Sequence, residues 1–355
     1  MHPAFSVIFL TTLSGVGQGL FLALVTAQSY AAVGFIELHN PSAFFGIGSL
    51  IALLFLGAGL FASFFHLGHP ERAWRSIARW RTSWLSREVI VLPLFMGVVF
   101  IYGVLHYFGW DPNVLGVSNP LQGQLSLLVG LVGTVICFAL FVCTAMIYAC
   151  IKFLQEWHTP LTVANYTLLG TASGFTLATA YAAIQAPHLT TLYAIWAVII
   201  TLAALVTRVW SLLRNRRIQY KSSLRTAVGI SHSNIVQKSQ GFMAGSFNTR
   251  EFFHGAPRQV FLAIKWTFLV LVFPVPLLLL AAGMASSRAA NVRGSRRSYR
   301  RDFATIGLSL FVMATETHRK KIWDLYGQVP AYMLFNGLFG HSQLHQAQPR
   351  TILHT

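Results

Sequence analysis

The chain has 355 residues, of which 55% are hydrophobic and only 10% are charged. Because soluble domains carry about 25% charged residues, this composition excludes an ordinary soluble protein. The net charge of +17 comes from basic residues in short stretches between long apolar segments, as in loops that face an anionic membrane leaflet. We therefore expect a membrane protein in contact with lipid, and no nucleic-acid binding.

Seven segments are long and apolar enough to cross a bilayer, which takes about 20 residues at a rise of about 1.5 Å each. They predict an all-α membrane protein, a polytopic helical bundle with seven clear transmembrane helices and a doubtful eighth. No basic residue precedes the first segment, so we expect a retained span and not a cleaved signal peptide. The predicted spans are Phe5–Phe35, Phe44–Phe65, Glu88–Phe108, Leu125–Ile151, Leu161–Ile184, Leu192–Trp210 and Val260–Ala285.

The loops between these spans alternate in charge. Glu37 is the only charge in the first loop and Asp111 the only one in the third, whereas the second loop carries five arginines. Lys152 follows the fourth span, and a long basic loop, residues 211–258, follows the sixth. From the positive-inside rule we assign the even-numbered loops to the cytoplasm, and we place the N-terminus in the periplasm of a bacterial inner membrane.

The C-terminal tail, residues 286–355, breaks this pattern. Six arginines follow the seventh span at once, on the side where few are expected, and the next apolar run, 303–315, is too short for a span. Residues 1–285 therefore form the predicted transmembrane domain. The basic tail is either a genuine extension or the result of a reading frame lost near Met284, and we favour the second interpretation.

The sequence predicts neither haem nor an iron–sulfur cluster in this chain. Its three cysteines lie six and seven residues apart, which matches no C-x-x-C unit. The histidines near spans, His66, His106 and His254, lie at or beyond the span ends, whereas a membrane haem needs two histidines buried at matching depths. A chain of this kind would pass electrons to or from a docked partner.

Ionisable residues inside a membrane are costly and are therefore functional candidates. Glu88 opens the third predicted span and His66 closes the second, and one loop joins them. A carboxylate and an imidazole at this depth could exchange protons with a quinol. The alternative is structural: Ser86 would cap the helix, Glu88 and His66 would suit the helix dipoles, and arginines such as Arg81 and Arg87 would bind lipid headgroups.

Four stretches of the sequence resemble the membrane-anchor protein of dimethyl sulfoxide reductase-type (DmsC-like) molybdoenzymes. They are MHPAFSVIFLTT, FHLGHPERAW…RTSWLSREVI, EWHTPLTVANYTLLG and VQKSQGFMAGSFNTREFFHG. The resemblance covers residues 1–285 in order. It implies a helical anchor, normally of eight spans, although the eighth is not recognisable after Met284.

The resemblance also implies a function. Such anchors exchange electrons between menaquinone or ubiquinone and an iron–sulfur B subunit, which serves a molybdopterin A subunit. The family's quinol-site carboxylate matches Glu88 and its HLG histidine matches His66, with Arg81, Ser86 and Arg87 nearby. Some members reduce sulfoxides, and others resemble the anchor of cytoplasmic sulfite dehydrogenases. The basic loops predict partner subunits on the cytoplasmic face, which favours the sulfite-type arrangement.

Two other functions remain open from the sequence. A purely structural anchor would hold its partners without binding quinone. A small-solute transporter would show broken helices and paired polar residues near the bilayer midplane, and the sequence has few ionisable residues there.

Overall fold

The computed structural model describes residues 5–67, 69–114, 123–152, 155–219, 229 and 258–293. Within these ranges, seven helical spans are long and apolar enough to cross a membrane, which confirms the predicted all-α polytopic bundle. Most of the long basic loop, residues 211–258, and the basic tail after residue 293 lie outside the described residues. The doubtful eighth span therefore stays a prediction.

Five of the seven described spans are single α-helices, the sixth begins with a short 3₁₀ helix, and the seventh is divided in two. Its two halves meet at Phe273, because Pro274 has no backbone N–H to continue the helical hydrogen bonds. Three 3₁₀ helices cover Phe64–His66, Pro70–Arg79 and Pro187–Leu189. The α-helices are α1 (Phe5–Ala32), α2 (Pro41–Ser63), α3 (Trp84–Phe108), α4 (Leu125–Ala149), α5 (Pro160–Gln185), α6 (Thr190–Asn215), α7 (Arg258–Val272) and α8 (Pro274–Arg293).

Helix α1 lies at the centre of the bundle, where it packs against α2, α4 and α5. Its contact with α5 depends on glycines at a spacing of four in both helices. Gly15 and Gly19 of α1 face Gly170 and Gly174 of α5, and a Cβ added at Gly174 would overlap the backbone of Gly19 and Leu20. Small residues at this spacing allow two membrane helices to approach closely.

The two ends of the bundle differ in charge. The Tyr166 hydroxyl, near the start of α5, donates to the Thr11 carbonyl near the start of α1 at 3.2 Å. A Cβ added at Gly59, near the end of α2, would contact the Leu10 carbonyl of α1 at 3.1 Å. These helix ends therefore lie together. We call this the basic end, which carries residues 64–87, 150–160 and 214–217, and we call the opposite end, with Glu37 and Asp111, the acidic end.

This arrangement corrects the predicted topology. The chain enters α1 at the basic end, the same end as the arginine-rich loop between α2 and α3. A periplasmic N-terminus and a cytoplasmic second loop cannot both hold, since two spans separate them and return the chain to its starting side. The N-terminus and the basic loops therefore share one side of the membrane, and the two predicted assignments are wrong as a pair.

Candidate functional site

Glu88 lies inside α3 and not at its first residue. The helix begins at Trp84, and its N-cap is Ser83, whose Oγ accepts a hydrogen bond from the Ser86 backbone N–H at 3.4 Å. The prediction that Ser86 caps this helix was wrong, because the N-cap lies three residues earlier, at Ser83, and Ser86 is buried in the first turn. Glu88 is itself only 7% exposed, so the structure places its carboxylate within the bundle.

Three other helices supply hydroxyl groups around Glu88. The Thr144 hydroxyl of α4 donates to Glu88 Oε1 at 2.7 Å. Tyr166 of α5 is close enough to interact with the Glu88 carboxylate and with the Thr144 and Ser14 side chains. Its hydroxyl donates to the carbonyl of Thr11 in α1. We call these five residues the Glu88 cluster, and in it α1, α3, α4 and α5 converge at the basic end.

The Glu88 carboxylate has no ion-pair partner among the residues that the structure describes. An ionisable group buried within a span without an opposite charge is expensive to maintain. Membrane proteins usually keep such groups for proton transfer or for ligand binding. The Glu88 cluster is therefore the strongest candidate site at the basic end.

The two arginines that were predicted to accompany Glu88 lie in the loop before α3 and in its first turn. Arg87 donates from Nε to the Trp80 carbonyl at 3.0 Å and from Nη2 to the Arg81 carbonyl at 2.9 Å. Its guanidinium lies 4.2 Å from the Trp84 ring centroid. Arg81 is exposed, with its guanidinium 5.5 Å from the Trp80 ring centroid. Arg87 therefore fixes the loop onto the start of α3, and neither arginine pairs with Glu88.

His66 ends the short 3₁₀ helix Phe64–His66 at the basic end, and that helix contacts α1. The side chain of His66 lies outside the described residues. Its predicted part in the quinone site therefore stays a prediction.

A cavity of about 760 Å³ opens at the acidic end, which the sequence did not suggest. Gln28, Glu37, His106 and Asp111 are among the residues that line it. His106 is 6% exposed, and its Nε2 has no hydrogen-bond partner within the described ranges. Eighteen residues of α3 separate His106 from Glu88, or about 27 Å along the helix, so the two sites are a membrane thickness apart.

A chain of hydrogen bonds leads from this cavity into the bundle. Asp111 accepts from the backbone N–H of Ser126 at 2.8 Å and also from the Ser126 hydroxyl. The Gln28 amide donates to the Ser126 hydroxyl at 2.6 Å, and the Tyr102 hydroxyl donates to Gln28 Oε1 at 2.7 Å. These four residues, the acidic-end chain, tie α1, α3 and α4 together.

Sequence reasoning found Glu88 but missed Thr144 and Tyr166. It searched for ionisable groups in apolar segments, and neutral hydroxyls do not stand out by that criterion. One signal was available, because Tyr166 lies within the EWHTPLTVANYTLLG stretch. No comparable signal marked Thr144, which lies in a helix without charged residues.

The comparisons with known proteins concern the same part of the chain that holds both sites. The family model of the DMSO reductase anchor subunit (DmsC) matches residues 1–285. The C subunit of the sulfite dehydrogenase of Allochromatium vinosum is 58% identical over 280 residues, which cover 79% of this chain and 86% of that protein. No solved structure matches the chain. The chain is therefore a member of the DMSO reductase anchor subunit family.

Proposed function

We propose that this membrane anchor exchanges electrons between menaquinone or ubiquinone and the iron–sulfur subunit of a molybdenum-containing complex, and that quinone reacts at the Glu88 cluster. The observation that carries this proposal is the Glu88 carboxylate, which is buried in a span, lacks an ion pair among the described residues and is held by Thr144. A group placed in this way near the basic end can exchange protons with bulk water and with a quinone oxygen.

Reducing one quinone to quinol consumes two electrons and two protons. The electrons come from the partner subunit. Protonated Glu88 gives one proton to a quinone oxygen and regains it from water at the basic end, and the second proton reaches the other quinone oxygen from the same water. The Thr144 hydroxyl holds Oε1, so the orientation of the carboxyl group is fixed before quinone binds. In the opposite direction the same carboxylate accepts a proton from quinol.

The relative from Allochromatium vinosum favours quinone reduction as the direction. It is named as part of a sulfite dehydrogenase, and oxidation of a substrate by its complex releases electrons that quinone can accept. The iron–sulfur and molybdopterin subunits would dock at the basic end, because electrons have to reach the quinone beside Glu88. By the positive-inside rule this end is cytoplasmic.

A photoreactive azidoquinone tests where quinone binds. Irradiation of the purified complex is expected to label peptides of α3, α4 or α5 that contain Glu88, Thr144 or Tyr166. Excess unlabelled quinone should suppress the labelling, which is measured by peptide mass spectrometry. Labelling confined to residues around the acidic-end cavity would overturn the proposed site.

Cys150 can report on the orientation of the chain without any engineered substitution. It is exposed at the basic end, just after α4, whereas Cys137 and Cys143 are buried. A membrane-impermeant maleimide is expected to label it in inside-out vesicles and not in intact spheroplasts. The variant C150S should lose the label. Labelling of the wild-type protein after solubilisation in detergent is the control that shows that the Cys150 thiol can react. Labelling from the outside of spheroplasts would place the basic end in the periplasm.

A further inference from the structure

The 3₁₀ helix Pro70–Arg79, here called the connecting helix, joins α2 to α3 at the basic end and packs against the start of α3. A 3₁₀ helix has three residues per turn, so side chains three apart form rows along its length. One row contains Ala73 and Ser76, which are half-buried and face the protein. The other two rows are exposed, and they differ in chemistry.

The first exposed row begins with Glu71 and is otherwise apolar. It continues with Trp74, Ile77 and Trp80, whose exposed fractions are 66%, 42% and 52%. The spans on either side end at Ser63 and begin at Trp84, so this row lies at the level where the chain leaves and re-enters the bilayer. Tryptophan is enriched at that level because its ring suits the boundary between headgroups and acyl chains.

The second exposed row is basic. It contains Arg72, Arg75 and Arg81, which follow one another at intervals of three and six residues. The guanidinium of Arg75 lies 5.7 Å from the Trp74 ring centroid, and that of Arg81 lies 5.5 Å from the ring centroid of Trp80. The basic groups thus sit beside the apolar row. Among the described residues, neither Arg75 nor Arg81 forms an ion pair, whereas Arg72 Nε lies 3.7 Å from Glu71 Oε1.

We infer that the connecting helix is a binding site for anionic phospholipid in the leaflet where it lies. Guanidinium groups bind phosphate oxygens through paired hydrogen bonds. The basic row offers those of Arg75 and Arg81 for this contact, beside Arg72, which also pairs with Glu71. The adjacent apolar row covers the glycerol and the first acyl carbons. This combination of charge and exposed tryptophan matches an anionic lipid, and it does not depend on whether quinone binds at the Glu88 cluster.

The test is a titration of the purified complex in detergent with either phosphatidylglycerol or phosphatidylcholine. The melting temperature is measured during the titration, and native mass spectrometry identifies the lipid that the complex retains. Wild-type protein is expected to retain phosphatidylglycerol in preference to phosphatidylcholine. The triple variant R72Q/R75Q/R81Q is expected to bind it roughly tenfold more weakly or worse, since each basic residue near a membrane surface contributes to the attraction.

The matched control is K152Q/R216Q/R217Q, which removes three positive charges from the same end of the bundle. It should keep the wild-type affinity for phosphatidylglycerol. Equal loss in both variants would show unspecific attraction and would overturn the inference. Unchanged lipid affinity together with loss of the partner subunits from R72Q/R75Q/R81Q would show a protein-docking surface, which also overturns it. If R72Q/R75Q/R81Q has a lower melting temperature than the wild type in phosphatidylcholine alone, the titration is repeated with the single variant R75Q.

Discussion

Replacing Glu88 by Gln is expected to lower quinone-coupled turnover by about 100-fold or more, because a positioned acid–base group contributes at least that much to proton transfer. The substitution keeps the size of the side chain and an oxygen that can accept the 2.7 Å hydrogen bond from Thr144. The helices and the complex should therefore assemble normally. The measurement is substrate-driven quinone reduction by the purified complex, beside its activity with an artificial dye that bypasses the anchor.

Glu156→Gln is the matched control for this experiment. Glu156 is 6% exposed and lies between α4 and α5 at the same end of the bundle, outside the Glu88 cluster. Its loss should leave quinone-coupled turnover close to that of the wild type. Full turnover in E88Q would mean that Glu88 takes no part in the reaction, and would favour a purely structural anchor. An equal drop in both variants would mean that any buried charge at this end matters, and not Glu88 in particular.

Gly174→Ala is expected to destabilise the bundle by about 3 kcal/mol or more, at the upper end of the usual effect of overpacking. The added Cβ would overlap the backbone of Gly19 and Leu20 in α1. Backbone atoms cannot move aside as a side chain can, so α1 and α5 would have to separate along their whole glycine contact. A lower melting temperature in detergent and a lower yield of folded protein would report this.

Gly97→Ala supplies the comparison. Gly97 is also in the middle of a span, but a Cβ added there meets no atom within 4 Å. Since alanine forms helices better than glycine, this variant should be at least as stable as the wild type. If both variants melted alike, the close glycine contact between α1 and α5 would not be a source of stability.

The spans could be predicted from the sequence because the bilayer demands a fixed length of apolar residues, and all seven were found. The seventh was predicted as one continuous segment, although Pro274 and Pro276 were visible in it. The break at Phe273 follows from the first of these prolines. The two side assignments, a periplasmic N-terminus and a cytoplasmic second loop, could not hold together for a simpler reason, since the number of spans between two segments decides whether they share a face.

The core position of α1 and α5 could not be predicted from hydropathy. These are the two least hydrophobic of the seven spans and also the two most buried. A helix in the middle of a membrane bundle faces other helices, so it needs small and hydroxyl side chains more than apolar bulk. Scales that measure contact with lipid score such a helix as the weakest span.

The candidate site was predicted only in part. Glu88 was identified because a carboxylate in an apolar segment is rare, and because the family resemblance marked the same residue. Thr144 could not be singled out, since most hydroxyls in these helices bond to a carbonyl of their own helix, as Thr176 does to Ala172 at 2.8 Å. Only the packing of α4 against α3 shows that the Thr144 hydroxyl reaches a carboxylate on another helix.

The acidic-end chain has a mechanical consequence for the opposite end of the bundle. The chain binds the far ends of α1, α3 and α4 to one another, and its member on α3, Tyr102, lies fourteen residues or about 21 Å along the helix from Glu88. These hydrogen bonds fix the three helices to one another at the acidic end. If quinone binds beside Glu88 as proposed, we expect a gap between α3 and α4 to open from the basic end, while the hydrogen-bonded ends stay closed.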